Sequence, residues 1–298
     1  MLDAALKVFG IIFPVFACAG AGLLYGRFHR LDMSVVNKLN MDVFVPILIF
    51  WALLVKPFDF ASYTGLAIAG TVVILGSGLI LLPLAMALKT NLKTFLPPMM
   101  FNNSGNMGIP LILFAFGEDM LQAAVILFIV EMLLHFTIGI YMLDHRTHPM
   151  GLLRMPMIIA TILGLAGSAV SLTLPAPVME TLKLLGQIAI PLLLFALGVR
   201  LLDVNFRDWK LGTLGAFLGP AAGLISALCI LYFIPLDKTQ SAVLIVFSVL
   251  PPAVLNVLLS EKYNQEPERV ASVVLLGNLA SLLIIPLTLW FVLIKGVV

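Results

Sequence analysis

One run of the chain, Phe101-Asn102-Asn103-Ser104-Gly105-Asn106-Met107-Gly108-Ile109-Pro110, places three amides, a hydroxyl and two glycines inside an otherwise apolar stretch. A regular lipid-facing helix would not carry them, because an unsatisfied polar group in hydrocarbon is costly. Pro110 removes a helical donor and the glycines weaken the helix on either side. A second run, Leu250-Pro251-Pro252-Ala253-Val254-Leu255-Asn256, holds a double proline that should also break its helix. Each break would expose backbone donors where the next half-helix starts, near Gly108 to Pro110 and Pro252 to Val254. A helix N-terminus carries about half a unit of positive charge and can hold an anion without lysine or arginine. No basic residue lies near either break. The chemistry to expect is therefore recognition of a small organic anion. Asn103, Asn106 and Asn256 would add amide donors, and Gly108, Pro110, Pro251 and Pro252 would shape the backbone. Asn102 and Ser104 would cap the broken ends, or use freed carbonyls to bind a coupling ion, proton or sodium.

Other polar residues fall inside apolar runs. Glu131 and His135 are four apart, on one face of a helix. An intramembrane carboxylate is a functional candidate by default, so Glu131 is read as a proton carrier, a sodium ligand or a structural partner of the first break, with His135 beside it. The pair lacks the further ligands that a zinc site needs. Asp42 precedes Pro46 by four residues, and a support role beside a substrate path is open to it. Asn278 reads as a helix–helix hydrogen bond. Cys18 and Cys229 sit alone in apolar runs, which makes neither a disulfide framework nor a metal site. There is no nucleophile elbow, His-Glu-xx-His pair or phosphate loop, so hydrolase, metalloprotease and nucleotide-binding readings find no support.

These residues need a membrane to position them. Of the 298 residues 61% are hydrophobic and only 11% charged, against roughly 25% charged in a soluble domain. So few charges cannot cover a water-facing surface. A helix needs about 20 residues to cross the hydrocarbon, and ten apolar spans can be drawn, at 8–25, 35–54, 63–88, 94–116, 120–143, 153–174, 179–201, 211–234, 241–259 and 270–294. The first span does not read as a cleaved signal, because its basic cluster of Arg27, His29 and Arg30 follows the apolar stretch. With ten spans both termini share a side. Lys7, Lys56, Lys183, Lys238 and Lys295 lie there. The other twelve basic residues, among them Arg30, Arg146 and Arg207, lie opposite. The positive-inside rule makes that opposite side cytoplasmic and both termini extracytoplasmic. The net charge of +2 gives no reason to expect a nucleic-acid partner.

The chain also repeats itself. Val45-Pro46-Ile47-Leu48-Ile49-Phe50 in the second span corresponds to Ile190-Pro191-Leu192-Leu193-Leu194-Phe195 in the seventh, 145 residues on. The same offset carries Gly22 to Gly167, Lys38 to Lys183, Gly70 to Gly215 and Gly78 to Gly223, and it carries Asn106 to Pro251. Five spans are an odd number, so a second copy must enter the membrane from the other face. The expected fold is an all-α polytopic membrane protein of ten transmembrane helices in two inverted five-helix repeats, residues 1–145 and 146–298. Interruptions at equivalent places in the two halves point to a transporter binding site.

Asn103-Ser104-Gly105-Asn106-Met107-Gly108-Ile109-Pro110-Leu111 resembles the Asn-rich crossover in the fourth helix of the auxin efflux carrier family, which groups plant auxin carriers with bacterial organic-acid permeases. Leu250-Pro251, followed by Glu261-Lys262-Tyr263-Asn264 and Pro267, is similar to the end of that family's ninth helix. Only about ten residues, 144–153, join the halves, which fits the bacterial branch. The resemblance implies a scaffold of helices 1, 2, 6 and 7 and a transport domain of helices 3–5 and 8–10. It further implies that helices 4 and 9 cross at their broken points and that the transport domain moves like an elevator. Dimerisation through the scaffold would give Pro46 and Pro191 to an interface. The activity expected is secondary active transport of small mono- or dicarboxylates across the inner (plasma) membrane, without a cofactor. A sodium-coupled symporter of the related bile-acid type is the alternative within transport, and a membrane-embedded enzyme or receptor is the alternative outside it.

Overall fold

Most helices of this chain are apolar on every side, and a helix without a polar stripe has no face to give to water. The computed structural model describes residues 2–29, 32–56, 58–145, 154–200, 202 and 208–294. Arg30, Arg146, Arg207 and Lys295 of the charge count, and most of the 144–153 link, lie outside the described residues. Among the described residues the regular structure is helical, without strands. Seven helices are long and apolar enough to span a membrane: Leu6–Phe28, Ser34–Leu54, Tyr63–Ala87, Glu118–Leu143, Ala176–Arg200, Trp209–Phe233 and Pro267–Leu293.

In chain order, α1 (Leu2–Phe28) is followed by α2 (Ser34–Leu39) and α3 (Val45–Leu54), which a π-helical turn at Asn40–Phe44 joins into one rod. Then come α4 (Phe60–Ala87), α5 (Leu92–Met100) and α6 (Ile109–Phe116), the last entered through a π-helical turn at Ser104–Gly108. Next, α7 (Leu121–Leu134) and α8 (Ile140–Leu143) flank a third π-turn at His135–Gly139. The second half contains α9 (Pro156–Ala169), α10 (Ala176–Arg200), α11 (Trp209–Phe233), α12 (Lys238–Ser248), α13 (Leu255–Lys262) and α14 (Pro267–Ile294). Two π-turns have a visible cause. Pro46 and Pro110 lack the N–H that would bind the carbonyl four residues back, and the backbone ahead of each widens by one residue.

The helices pack in two groups. In one, α10 lies along α1 and α3, and α3 lies against α9. In the other, α11 packs on α4 and α14, α4 on α5 and α7, and α13 on α14. Where α1 crosses α10 the backbones touch: a Cβ on Gly22 would run into the Phe195 carbonyl, and one on Gly198 into the Ala19 carbonyl. Small residues at such a crossing are the usual means of close helix approach in a bilayer.

Packing recurs at the 145-residue offset. Gly22 sits at the α1–α10 contact, and Gly167 at the α9–α3 contact, beside Leu54. Gly70 of α4 meets Leu127 of α7, while Gly215 of α11 meets Val273 of α14. Gly78 abuts Met100 at the end of α5, and Gly223 abuts the Ser248 carbonyl at the end of α12. Three glycine pairs thus make corresponding contacts in the two halves.

Between the groups, α3 touches α7, α1 touches α6 and α14, and α10 rests on the Ser104–Gly108 turn. Lys56 pairs with Asp119, Lys183 lies 3.4 Å from Glu118, and Gln122 donates to the carbonyls of Ala52 and Lys56 at 3.0 Å. At the other end of α5, the Thr94 hydroxyl donates to Glu266 at 2.6 Å and Arg269 donates at 2.8 Å. The Thr94 bond, with help from Arg269, holds the Glu266 carboxyl below its ordinary range. Of the two prolines assigned to an interface, Pro46 is buried within the chain and only Pro191 is exposed. Pro46 therefore has no surface to give to a partner.

The α1–α10 crossing yields a direct test. Gly198→Ala should force the helices apart and lower the thermal stability of the purified protein by about 1–3 kcal/mol, the usual range for overpacking. Gly10→Ala, where a Cβ meets nothing within 4 Å, should leave the melting temperature unchanged or raise it.

Candidate functional site

Both broken spans release backbone groups that must find partners. After α5 the chain turns extended at Phe101, with φ −100° and ψ 103°. After α12 it stays irregular until Leu255. The two irregular pieces lie antiparallel, with Asn102 opposite Pro252. The Asn103 N–H donates to the Pro251 carbonyl at 2.7 Å, and the Ala253 N–H donates to the Phe101 carbonyl at 3.0 Å. The segments that follow α5 and α12 thus meet through reciprocal backbone hydrogen bonds.

Side-chain amides donate to several carbonyls around the breaks. Asn102 Nδ2 donates to the Phe247 carbonyl at 2.8 Å. Asn256 Nδ2 donates to the carbonyls of Phe101 at 3.0 Å and Ala253 at 2.9 Å. Asn278 reaches over from α14 to the Pro252 carbonyl at 3.1 Å, the helix–helix bond expected of it. The Oδ1 atoms of Asn102, Asn256 and Asn278 are buried and unpartnered. With their nitrogens held by backbone, these three asparagines offer acceptors. Asn256, expected to donate to substrate, is corrected on this point, since its donors hold the crossover together.

Asn103 differs. It is 3% exposed, and its Nδ2 is buried without a partner. Asn106 is half-buried on the Ser104–Gly108 turn, the turn that α10 rests on. The post-break segment starts at Ser104, six residues before Pro110. The Met107 and Gly108 N–H groups both donate to the Asn103 carbonyl at 3.1 and 3.0 Å, so the first N–H groups of the segment belong to Ser104, Gly105 and Asn106. Placing the exposed donors at Gly108 to Pro110 was wrong, because Pro110 widens the turn ahead of it but does not end it. Gly108 is a close-packing position, where a Cβ would stand 2.8 Å from Leu250 Cδ1. Pro110 is buried near the start of α6. In the ninth span Pro252 has no N–H and Ala253 uses its own on Phe101, which leaves Val254 and Leu255 at the head of α13.

Glu131 and His135 do reach the crossover. The Ser104 hydroxyl donates to Glu131 Oε2 at 3.1 Å, and His135 Nδ1 lies 3.1 Å from Glu131 Oε1. The carboxylate is 5% exposed and the imidazole 1%. The imidazole stacks on Phe101, with ring centroids 4.2 Å apart and planes 7° apart. Gly139 makes room for that stack: a Cβ there would stand 2.9 Å from both rings. One residue pair on the fifth span therefore holds both sides of the first break, Phe101 before it and Ser104 after it. Asp42 is not part of this assembly. It is exposed on the π-turn ahead of Pro46, and its position follows from helix geometry. Its neighbour Asn40, which sequence reasoning passed over, is 1% exposed and donates to the Ala189 carbonyl at 3.4 Å. A lone amide at the end of an apolar span gives no signal that separates it from a snorkelling residue. Among the described residues no cluster of His, Cys, Asp and Glu could hold a metal.

Seven helices long and apolar enough to cross a bilayer, with two breaks bonded to each other among them, fit a membrane transport protein. The comparison with protein families agrees: residues 145–290 match the family described as Membrane transport protein. That is the domain of the auxin efflux carrier family, matched here by the second half of the chain. Its members are transporters, not enzymes. Comparison with curated proteins finds no match.

The division of labour among the asparagines can be tested. Asn256→Leu should lower the stability of the unliganded protein by about 1–3 kcal/mol, because it strips a buried donor from two carbonyls. Asn103→Ala removes an amide that bonds to nothing through its nitrogen and should cost far less. Thermal unfolding of the two variants without ligand decides this, and equal losses would refute the division.

Proposed function

We propose that the chain is a secondary active transporter of small organic anions, mono- or dicarboxylates, which bind at the crossover of the fourth and ninth spans. The observation that carries this reading is the buried, unpartnered amide of Asn103, beside the N–H groups that head the post-break segment. These donors offer hydrogen bonds and partial positive charge without a competing lysine or arginine. Asn106 supplies a second amide from the Ser104–Gly108 turn, on which α10 rests. The role of Glu131 and His135 is to hold Ser104 and Phe101 in the arrangement that aims these donors.

The two halves, 1–145 and 146–298, form inverted five-helix repeats in this reading, giving ten spans. The repeated glycine contacts support it. The group of α1, α3, α9 and α10 is the scaffold, through which the protein forms a homodimer, with Pro191 available to the interface. The group of α4 to α8 and α11 to α14 is the moving transport domain, and the crossover travels with it in an elevator-like step. The pairs Lys56–Asp119 and Lys183–Glu118 join the two groups and belong to one end state, so they must part when the transport domain moves. The protein sits in the inner (plasma) membrane with both termini outside. A reporter active only in the cytoplasm, fused to the C-terminus, should stay silent, and a strong signal would reverse the orientation.

Asn106→Ala should weaken carboxylate binding roughly ten- to a hundred-fold, the effect of losing one hydrogen bond to a charged ligand, about 1.5–3 kcal/mol. Expression and oligomeric state should not change. Thermal shifts across a panel of mono- and dicarboxylates, followed by counterflow in proteoliposomes, measure this. Binding and counterflow equal to the parent's would remove Asn106 from the site. Stabilisation by cations or neutral solutes alone would end the anion reading.

A further inference from the structure

The crossover has a second side, opposite in electrical character to the first. The segments that follow the breaks present N–H groups. The helices that precede them, α5 and α12, end there and present carbonyls, the negative ends of their dipoles. A cavity of about 10 Å³ lies on this second side, lined by Ser77 of α4, Met99 at the end of α5, Asn102, Ser248 at the end of α12, and Pro252. That volume is enough for one water-sized occupant.

Each polar side chain lining the cavity has a proton engaged elsewhere. The Ser77 hydroxyl donates to the Val73 carbonyl at 2.6 Å, and the Ser248 hydroxyl to the Ile245 carbonyl at 2.8 Å. Asn102 Nδ2 donates to the Phe247 carbonyl, and its Oδ1 is buried without a partner. The backbone adds to this. The Met99 carbonyl loses its helical donor because the Asn103 N–H goes to Pro251, and the Ser248 carbonyl loses its own because Pro252 has no N–H. The walls thus offer mainly oxygen lone pairs. No titratable side chain lines the cavity, so a bound proton has no home in it. No carboxylate is present to draw a divalent ion out of its hydration shell.

We propose that this cavity binds a dehydrated sodium ion, held by Asn102 Oδ1, the Ser77 and Ser248 hydroxyl oxygens and the freed carbonyls of the two helix ends. The ion would neutralise the facing negative ends of α5 and α12, and it would brace the crossover from behind while the anion occupies the front. The site does not depend on the identity of the anion, and it is distinct from Glu131, which bonds to Ser104 on the post-break segment.

The test is sodium titration of the purified protein without any carboxylate, following thermal unfolding in sodium chloride against equal potassium chloride and N-methylglucamine chloride. A saturable stabilisation specific to sodium is expected. Ser77→Ala and Ser248→Ala should each raise the half-saturating sodium concentration roughly tenfold or more, a loss typical of changes around a bound metal ion, while Glu131→Gln should leave it in place. Ser77 belongs to α4 and is outside the break, so its variant remains informative if Ser248→Ala fails to fold. Identical melting in sodium and N-methylglucamine chloride would mean that the cavity holds a water, and would overturn the proposal. Loss of the sodium effect in Glu131→Gln, with Ser77→Ala unaffected, would move the ion to the carboxylate and overturn it equally. Neither result bears on carboxylate binding, which the Asn106 variant tests separately.

Discussion

Two backbone hydrogen bonds hold the centre of this molecule: Asn103 N–H to Pro251 carbonyl and Ala253 N–H to Phe101 carbonyl. A helix interrupted at membrane depth leaves several peptide groups without partners, and hydrocarbon offers none. Either break alone would be prohibitively expensive. Placed against each other, the breaks satisfy part of each other's backbone. The prolines reinforce the choice. Pro251 and Pro252 cannot donate, so the partner segment supplies its own N–H groups or does without. Asparagine then suits the surroundings of a crossover: one side chain donates to an orphaned carbonyl and still keeps an oxygen for something else.

From that constraint the surrounding structure follows. Phe101 has to be fixed because its carbonyl accepts from both Ala253 and Asn256, and the His135 ring stacked on it fixes it. Ser104 has to be fixed because the post-break turn begins there, and Glu131 accepts a hydrogen bond from its hydroxyl. A buried carboxylate beside a buried imidazole is a costly arrangement. It is tolerated where both carboxylate oxygens are hydrogen-bonded and where the pair orients a backbone that nothing else would orient. Gly139 is needed because a side chain there would collide with the stack. Gly78 and Gly223 are needed because α4 and α11 must approach the ends of the broken helices closely enough to seal them from lipid.

Much of this was legible in the sequence. Composition and run length identified a polytopic helical membrane protein, and the polar cluster at 102–106 together with Pro251 and Pro252 located both breaks. The placement of Glu131 and His135 on one face anticipated their shared work. Three things were not legible. A proline shows that a helix must yield nearby but not on which side, and the structure moved the first break upstream of Pro110, to Phe101–Asn103. An asparagine in a span can donate to backbone or to ligand, and only its neighbours decide, so Asn256 and Asn103 looked alike in one dimension. Ser77 and Ser248 gave no signal at all, because a serine in an apolar helix ordinarily donates to its own backbone. Both do so here, and it is this bond that turns their remaining lone pairs outward.

The asymmetry of the crossover comes from the direction of the chain. Both broken spans run from carbonyl-terminated to amide-headed halves, and the breaks meet antiparallel, so the two carbonyl ends gather on one side and the two amide ends on the other. Side chains deepen the separation. Asn102 and Asn256 turn their nitrogens to backbone carbonyls and leave oxygen over, while Asn103 keeps its nitrogen free. In the proposed reading, a site that prefers negative charge and a site that prefers positive charge arise within a few residues of each other, with no lysine or arginine at either. Such a pair suits a transporter better than a fixed lysine or arginine would. A full charge buried in hydrocarbon would have to be neutralised whenever the site is empty, whereas peptide dipoles and amides can be left unliganded at far lower cost. The crossover can therefore exist loaded or empty.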